Sequence, residues 1–252
     1  MRCNEPTQPG NPYKLTINQH IFPTASIERF TKSNGKVNVY LIDNRRNIYL
    51  NPKDQVFVAK RVWNNAAEKG FMKIVEDEFQ GLVNSILNNR FGEIFDDNQN
   101  KIISNFYALC RLRFEESKKP PQDIQLNGFS KEIVLTKGEE EILESNQAYS
   151  ISGSVINSRN LASFRLHFLY PRLCSPETKW SLVYSRNIQF IVPDSFGNIG
   201  VVPLTPNYCL VANQQSGEIS SDNAVQMNKL AIEKSSKYYF AHDLSMCGVD
   251  LG

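Results

Sequence analysis

The sequence predicts an α+β protein in which an N-terminal hairpin and C-terminal strands surround central helices. Alternating apolar residues appear near the start, two long stretches with helical apolar spacing occupy the middle, and short strand-like segments follow Trp180. Strands at both ends of the chain, with few between them, favour a sheet that both ends share. We therefore expect a single α+β domain over 18–252, after an irregular lead-in over 1–17 that is rich in proline, asparagine and glycine.

The first elements of this domain should be a short helix and a β-hairpin. The helix is expected over 25–30, directly after a proline. Asn34-Gly35 is a strong turn signal, and after it every second residue is apolar, as in a half-buried strand. Because 47–50 reads as the returning strand, the sequence predicts a hairpin over 36–51. The alternating apolar residues are Val37, Val39 and Leu41.

Two amphipathic helices should follow, over 72–90 and 99–117. In both, apolar residues recur at spacings of three and four, which is typical of a helix packed on a core. The second helix should end at Lys118-Lys119-Pro120-Pro121, because proline disfavours helical geometry in the residue before it. The apolar stripes consist of Val75, Phe79, Leu82, Val83 and Ile86 in the first helix, and of Ile103, Phe106, Cys110 and Phe114 in the second.

The second half of the chain should return from helices to strands. The stretch 139–169 has helical spacing that Ser152-Gly153-Ser154 interrupts, so it fits either one helix or two. After it we expect strand pairs over 182–184 with 188–192 and over 201–204 with 209–212, then a helix over 224–236 and a last strand over 237–241. Asp222 or Asn223 is the expected cap of that last helix.

Composition excludes several classes of protein. The chain has 28 Lys+Arg against 26 Asp+Glu, a net charge of +2, whereas a domain that tracks nucleic acid broadly would be basic. No run approaches the ~18 apolar residues of a membrane helix, and the first ten residues hold no apolar signal core. The five cysteines are scattered without a C-x-x-C pair, so we expect neither a disulfide framework nor a zinc knuckle, and a cytoplasmic protein.

Common catalytic and cofactor motifs are missing from the sequence. It contains no P-loop, no G-x-G-x-x-G, no H-E-x-x-H, no G-x-S-x-G and no EF-hand loop. The three histidines, at 20, 167 and 242, are too far apart to form a zinc site visible in the sequence. The sequence therefore assigns no cofactor and no metal.

Several short segments, read in chain order, nevertheless resemble the motifs of one bacterial family. They are His20-Ile21-Phe22-Pro23 with Ile27 and Phe30, Val75-Glu76 ahead of Phe79 and Leu82, the run from Phe106 to Arg113, the run from Trp180 to Ser185, the run from Phe190 to Phe196, Pro203-Leu204-Thr205-Pro206, and Asn228 ahead of Tyr238-Tyr239-Phe240. Their order and spacing make the chain over 18–243 similar to the bacterial domain of unknown function family 4238.

This resemblance implies a single α+β unit of bacterial or mobile-element origin, and it implies no activity. The chain departs from the family at two positions around Asp194. Pro193 stands where the family has a serine before the aspartate, and Phe196 stands where the family has a proline two residues after it.

Four residues in these motifs carry polar groups that are costly to bury: His20, Glu76, Arg113 and Asp194. Each lies beside apolar residues, and a buried charge without a partner costs several kcal/mol. We therefore expect Arg113 to pair with Glu76 or with Asp194.

Two interpretations of the four residues stay open. In the catalytic one, His20 acts as general acid or base, a carboxylate orients it or holds a metal, and Arg113 stabilises developing negative charge, as in phosphodiester cleavage. In the structural one, Arg113 ties the two central helices to the C-terminal strands, and His20 caps a turn.

These interpretations predict different functions. The catalytic one predicts a hydrolytic, nuclease-like effector in phage–host or plasmid conflict, with nucleic acid as its partner. The alternatives are a non-catalytic binding module that recognises a protein or a nucleotide, and an accessory subunit. The sequence does not decide whether the protein is an enzyme.

Overall fold

The computed structural model describes residues 5–89, 95–128, 133–173 and 177–250. It is a mixed α+β structure, which confirms the predicted fold class. The helices are α1 Thr24–Glu28, α2 Asn65–Lys69, α3 Phe71–Asn89, α4 Asp97–Lys118, α5 Lys137–Ser145, α6 Ser158–Leu169 and α7 Ser221–Lys234. The strands are β1 Asn18–His20, β2 Val37–Leu41, β3 Arg46–Leu50, β4 Val58–Lys60, β5 Ile124–Gln125, β6 Val155–Ile156, β7 Trp180–Tyr184, β8 Val192–Pro193, β9 Val201–Thr205, β10 Tyr208–Ala212, β11 Gly217–Glu218 and β12 Tyr238–Ala241.

One sheet joins the two ends of the chain, as the sequence predicts. Its strand order is β3-β2-β12-β8, and the predicted hairpin over 36–51 supplies β2 and β3. The last strand pairs antiparallel with β2, with Phe240 opposite Val39. Both of these side chains are fully buried on the core face, while Tyr40 and Tyr239 stack on each other on the other face at 5.1 Å between ring centroids.

A second sheet has the order β11-β7-β10-β9 and corrects one predicted strand pair. The hairpin of 182–184 with 188–192 is wrong, because β7 pairs with β10 and only Val192–Pro193 forms a strand, next to β12. The intervening residues hydrogen-bond elsewhere: Gln189 N donates to Met246 O at 2.9 Å and Phe190 N donates to Pro206 O at 2.8 Å. The segment crosses between the two sheets, so the apolar run Phe190-Ile191-Val192 reflects burial on several sides. The other predicted hairpin, of β9 with β10, is confirmed.

The two long central helices are confirmed and pack against each other. Phe79 of α3 stacks on Phe106 of α4, with 3.6 Å between ring centroids. Helix α4 begins earlier than predicted, because Asp96 caps it and forms a capping box with Gln99. It ends at Lys118, before the prolines, as expected. The last residue of the predicted first helix, at 90, lies outside the described residues.

The interrupted stretch forms two helices, α5 and α6, separated by the predicted break at 152–154. The predicted cap of α7 is wrong. Ser220 caps this helix by accepting a hydrogen bond from the backbone of Asn223 at 3.2 Å, which places Asp222 and Asn223 inside the first turn. The structure also adds short elements that the sequence did not indicate: β1 paired with β4, β5 paired with β6, and α2.

None of the helices in the described ranges combines the length and the apolarity that crossing a membrane requires. Cys110, Cys209 and Cys247 are buried free thiols, and Cys3 and Cys174 lie outside the described residues.

Candidate functional site

Three of the four predicted site residues, His20, Glu76 and Arg113, lie near one another. His20 is the last residue of β1 and lies opposite Val58 of β4. Arg113 of α4 forms an ion pair with Glu76 of α3, which confirms one of the two pairings expected from the sequence. The charges of Glu76 and Arg113 both act on the His20 imidazole, in opposite directions.

Arg113 is enclosed beneath this site and fully engaged. Its side chain is only 2% exposed. The guanidinium donates to Glu76 Oε1 and, from Nε and Nη2, to Met72 Sδ at 3.4 and 3.3 Å. Its Cζ lies 5.5 Å from the centroid of the Trp63 ring, within the range of a cation–π contact. Burial opposes the charged form, but attraction by Glu76 and Glu68 outweighs it and raises the pKa of Arg113. Arg113 is therefore a buried, permanently charged anchor for Glu76.

Glu68 of α2 belongs to the same cluster and was missed from the sequence. Its carboxylate accepts a hydrogen bond from Trp63 Nε1. Burial raises the pKa of Glu68, and the nearby Arg113 opposes this shift. The available signal was the spacing of four between Glu68, Met72 and Glu76, which would align them on one face of a continuous helix. A break at Gly70 between α2 and α3 hides that pattern.

His20 and Glu76 form the accessible part of the site, since both are half-buried. His20 Nε2 lies 3.3 Å from the carbonyl oxygen of Pro52. With the proton on Nε2 donated to that carbonyl, Nδ1 is left as an acceptor. Burial lowers the pKa of His20 below 6.5, and the positive charges of Arg113 and Lys53 lower it further against the opposing effects of the Pro52 hydrogen bond and of Glu76. The imidazole is therefore neutral at pH 7 and suited to accept a proton.

Asp194 lies at a different place and has a different set of partners. It is only 4% exposed, and its carboxylate accepts hydrogen bonds from the backbone N–H groups of Ser236 and Lys237, both at 2.8 Å. Burial raises the pKa of Asp194, while these two hydrogen bonds and the charge of Lys118 oppose the shift. The carboxylate thus ties β8 to the turn between α7 and β12.

Pro193 and Phe196, which lie near Asp194 in the sequence, also have defined places in this architecture. Pro193 sits in β8, the edge strand of its sheet, opposite Tyr239. Phe196 is buried and packs on Phe22 with 5.3 Å between ring centroids. Both side chains are therefore buried next to the segment that carries Asp194.

Other chemically active side chains near the site are engaged in packing. Cys110 lies one turn before Arg113 in α4 and is 1% exposed, and burial raises the pKa of its thiol. It is therefore a core residue, as the apolar stripe indicates. Among the described residues, no group of three or more His, Cys, Asp or Glu side chains is arranged to hold a metal ion.

Comparison of this chain with protein-family models, with curated proteins and with solved structures finds no match. The resemblance to domain of unknown function family 4238 therefore stays a prediction from the sequence motifs.

Proposed function

We propose that the protein is a hydrolytic enzyme of the nuclease type, in which His20 is the general base. One observation carries the proposal: a half-buried imidazole with a lowered pKa is held at Nε2 by Pro52 O, beside a carboxylate that a buried arginine fixes in place. Clefts that combine a perturbed titratable group with a specific charge partner are where catalytic groups concentrate.

Each residue of the site has a distinct role in this proposal. Water attacks the phosphodiester phosphorus and a new P–O bond forms while the bond to the leaving oxygen breaks. His20 Nδ1 takes the proton from the attacking water, and solvent protonates the leaving oxygen. Glu76 orients the water, and Arg113 is a positioning residue that holds Glu76.

The charge around His20 favours an anionic substrate. Lys53 is exposed on the loop that supplies the Pro52 carbonyl, and its charge acts on the imidazole. A phosphate held by Lys53 would lie beside the base without any need for a basic protein, which is compatible with the net charge of +2. The protein would then act as a cytoplasmic effector in phage–host or plasmid conflict.

The test compares His20→Gln with the matched variant His242→Gln. His242 is also half-buried and also has a ring nitrogen near a backbone carbonyl, with Nδ1 3.2 Å from Thr31 O. Purified proteins are incubated with plasmid DNA, single-stranded DNA and total RNA, with and without Mg²⁺. We expect wild type to cleave at least one substrate, and the His20 variant to lose about 10²–10⁴-fold in rate, the usual contribution of a general base.

The control variant His242→Gln should cleave at the wild-type rate, and thermal melting should show that both variants remain folded. The proposal fails if wild type cleaves none of the substrates. It also fails if a folded His20→Gln protein cleaves as fast as wild type.

A further inference from the structure

A cavity lies beside α4, and none of the site residues His20, Glu76 and Arg113 lines it. It has a volume of about 160 Å³ and opens to solvent between α4, the strands β7 and β10, and the loop before β9. Arg111, Tyr107 and Trp180 line it together with Thr178, Asn198 and Asn213. Arg111 precedes Arg113 by two residues, about 200° around the helix axis, so the two arginines serve different surroundings.

Arg111 is the charged residue of the cavity wall, and its guanidinium is poorly neutralised. The side chain is 19% exposed, and the nearest ion-pair oxygen, Glu115 Oε1, lies 3.9 Å from Nη2, beyond hydrogen-bond distance. Its Nε is enclosed and has no hydrogen-bond acceptor among the described residues. A largely covered guanidinium with unused donors is costly unless an acceptor reaches it.

The wall around Arg111 is held in place by contacts of its own. The Tyr107 hydroxyl donates to Gly197 O and accepts from Gly200 N, both at 3.0 Å. Trp180 donates from Nε1 to Ser104 Oγ at 2.8 Å, and its ring centroid lies 5.4 Å from that of Tyr107. The Arg111 Cζ lies 5.9 Å from the centroid of the Tyr107 ring. A cavity whose walls are already ordered costs little to organise when a ligand binds.

We propose that this cavity binds a small organic anion, a carboxylate or phosphate group on a compact apolar body, with Arg111 as the anion-binding residue. The anionic group accepts hydrogen bonds from the exposed part of the guanidinium, in the planar geometry that arginine favours. The apolar body packs on Tyr107, Leu173 and Ala212, which also line the cavity. The volume suits a single small molecule and not a polymer chain.

The test uses benzoate and phenyl phosphate as probes, with benzamide as the neutral counterpart of benzoate. Binding to the full-length protein is followed in ¹H–¹⁵N spectra by the indole N–H signals of the two tryptophans. Trp180 lies in this cavity and Trp63 lies against Arg113. We expect at least one of the anions to shift the Trp180 signal while leaving the Trp63 signal in place, and benzamide to bind more weakly.

The decisive variant is Arg111→Met, which keeps an unbranched, flexible side chain and removes the guanidinium and its charge. Charge-assisted hydrogen bonds of the ordinary strength predict a loss of about 10–100-fold in affinity for the anion that binds. The control is Arg186→Met, an arginine that is 71% exposed, pairs with Glu218 and does not line the cavity. It should bind the anion as wild type does.

Three results would overturn the proposal. They are the failure of both anions to shift the Trp180 signal, tighter binding of benzamide than of benzoate, and unchanged affinity in a folded Arg111→Met protein. None of these results bears on cleavage by His20, so this proposal and the proposed function can fail separately.

Discussion

Arg111 and Arg113 lie two residues apart in the same helix, within the run Ala108-Leu109-Cys110-Arg111-Leu112-Arg113, yet they meet opposite conditions. Arg113 is 2% exposed and donates to Glu76 and Met72, with Trp63 across its face. Arg111 is 19% exposed, and its Nε has no acceptor among the described residues. Arg111 faces a cavity that opens to solvent, and Arg113 faces helix α3.

The difference shows that burial alone does not tell what a charged residue does. A guanidinium whose three nitrogens all have partners within the protein contributes to architecture and can position a neighbour, as Arg113 positions Glu76. A guanidinium that is largely covered but incompletely paired retains the capacity to bind an anion. We therefore expect substitutions of the two residues to affect different properties of the protein.

The largest expected difference is in stability. Arg113→Met leaves the carboxylates of Glu76 and Glu68 without their buried partner, which typically costs about 3–5 kcal/mol. Arg111→Met removes a largely covered guanidinium whose Nε has no acceptor among the described residues, so it should lower the free energy of unfolding by no more than about 0.5 kcal/mol. Urea denaturation followed by circular dichroism measures both values. An equal loss of unfolding free energy in the two variants would show that the difference in pairing between Arg111 and Arg113 does not affect stability.

A smaller effect should appear as coupling between Arg113 and Glu76. Because Glu76→Gln removes the charge that Arg113 neutralises, the double variant with Arg113→Met should be more stable than the sum of the single effects by about 1–3 kcal/mol. The matched double-mutant cycle combines Arg111→Met with Glu115→Gln. In the wild-type protein the charged atoms of these two residues are 3.9 Å apart. This second cycle should be additive within experimental error. Additivity in the first cycle would instead mean that the ion pair does not hold Glu76.

The smallest effect concerns the pKa of His20, which NMR can follow because the chain has three histidines. In wild type the pKa of His20 should lie below 6.5, chiefly because of burial. Arg113→Met removes a charge that lowers this pKa and leaves Glu76, which raises it, so the pKa should rise. Arg111→Met should leave it unchanged. A His20 pKa above 6.5 in wild type would contradict the assigned environment.

The lowered pKa of His20 also makes the free energy of unfolding depend on pH. The unfolded chain binds a proton at His20 near pH 6.5, whereas the folded protein binds it only at lower pH. The contribution of the neutral imidazole is therefore complete above pH 6.5 and is lost as the pH falls from 6.5 through the folded pKa. His20→Gln should remove this part of the pH profile, and His242→Gln should not.

Local patterns in the sequence predicted most of the regular elements. The alternation in β2, the apolar stripes of α3 and α4, and the interruption between α5 and α6 are short-range signals, and the structure confirms all of them. The error over 188–192 has a physical cause. A continuous apolar run is compatible with a buried strand, but here Phe190, Ile191 and Val192 reach three different parts of the core.

The candidate site was predictable in part. The cost of burying His20, Glu76 and Arg113 indicated that they need partners, and the structure pairs two of them directly. Asp194 has the same chemical character, but its partners are the backbone N–H groups of Ser236 and Lys237, which carry no side-chain signal. Glu68 was missed because it lies in a separate short helix, and the pairing of β1 with β4 was missed because both strands are only three residues long.

The amino-acid sequence by itself determined the α+β class, the long helices and the need of Arg113 for a carboxylate partner, because periodicity and burial cost act over a few residues. Only the tertiary structure decided which carboxylate that is, that Arg111 lines a cavity, and that Asp194 binds backbone instead of the other three residues. These outcomes depend on how α3, the two sheets and the turn after α7 are placed around α4, and contacts between residues distant in the chain leave no local pattern.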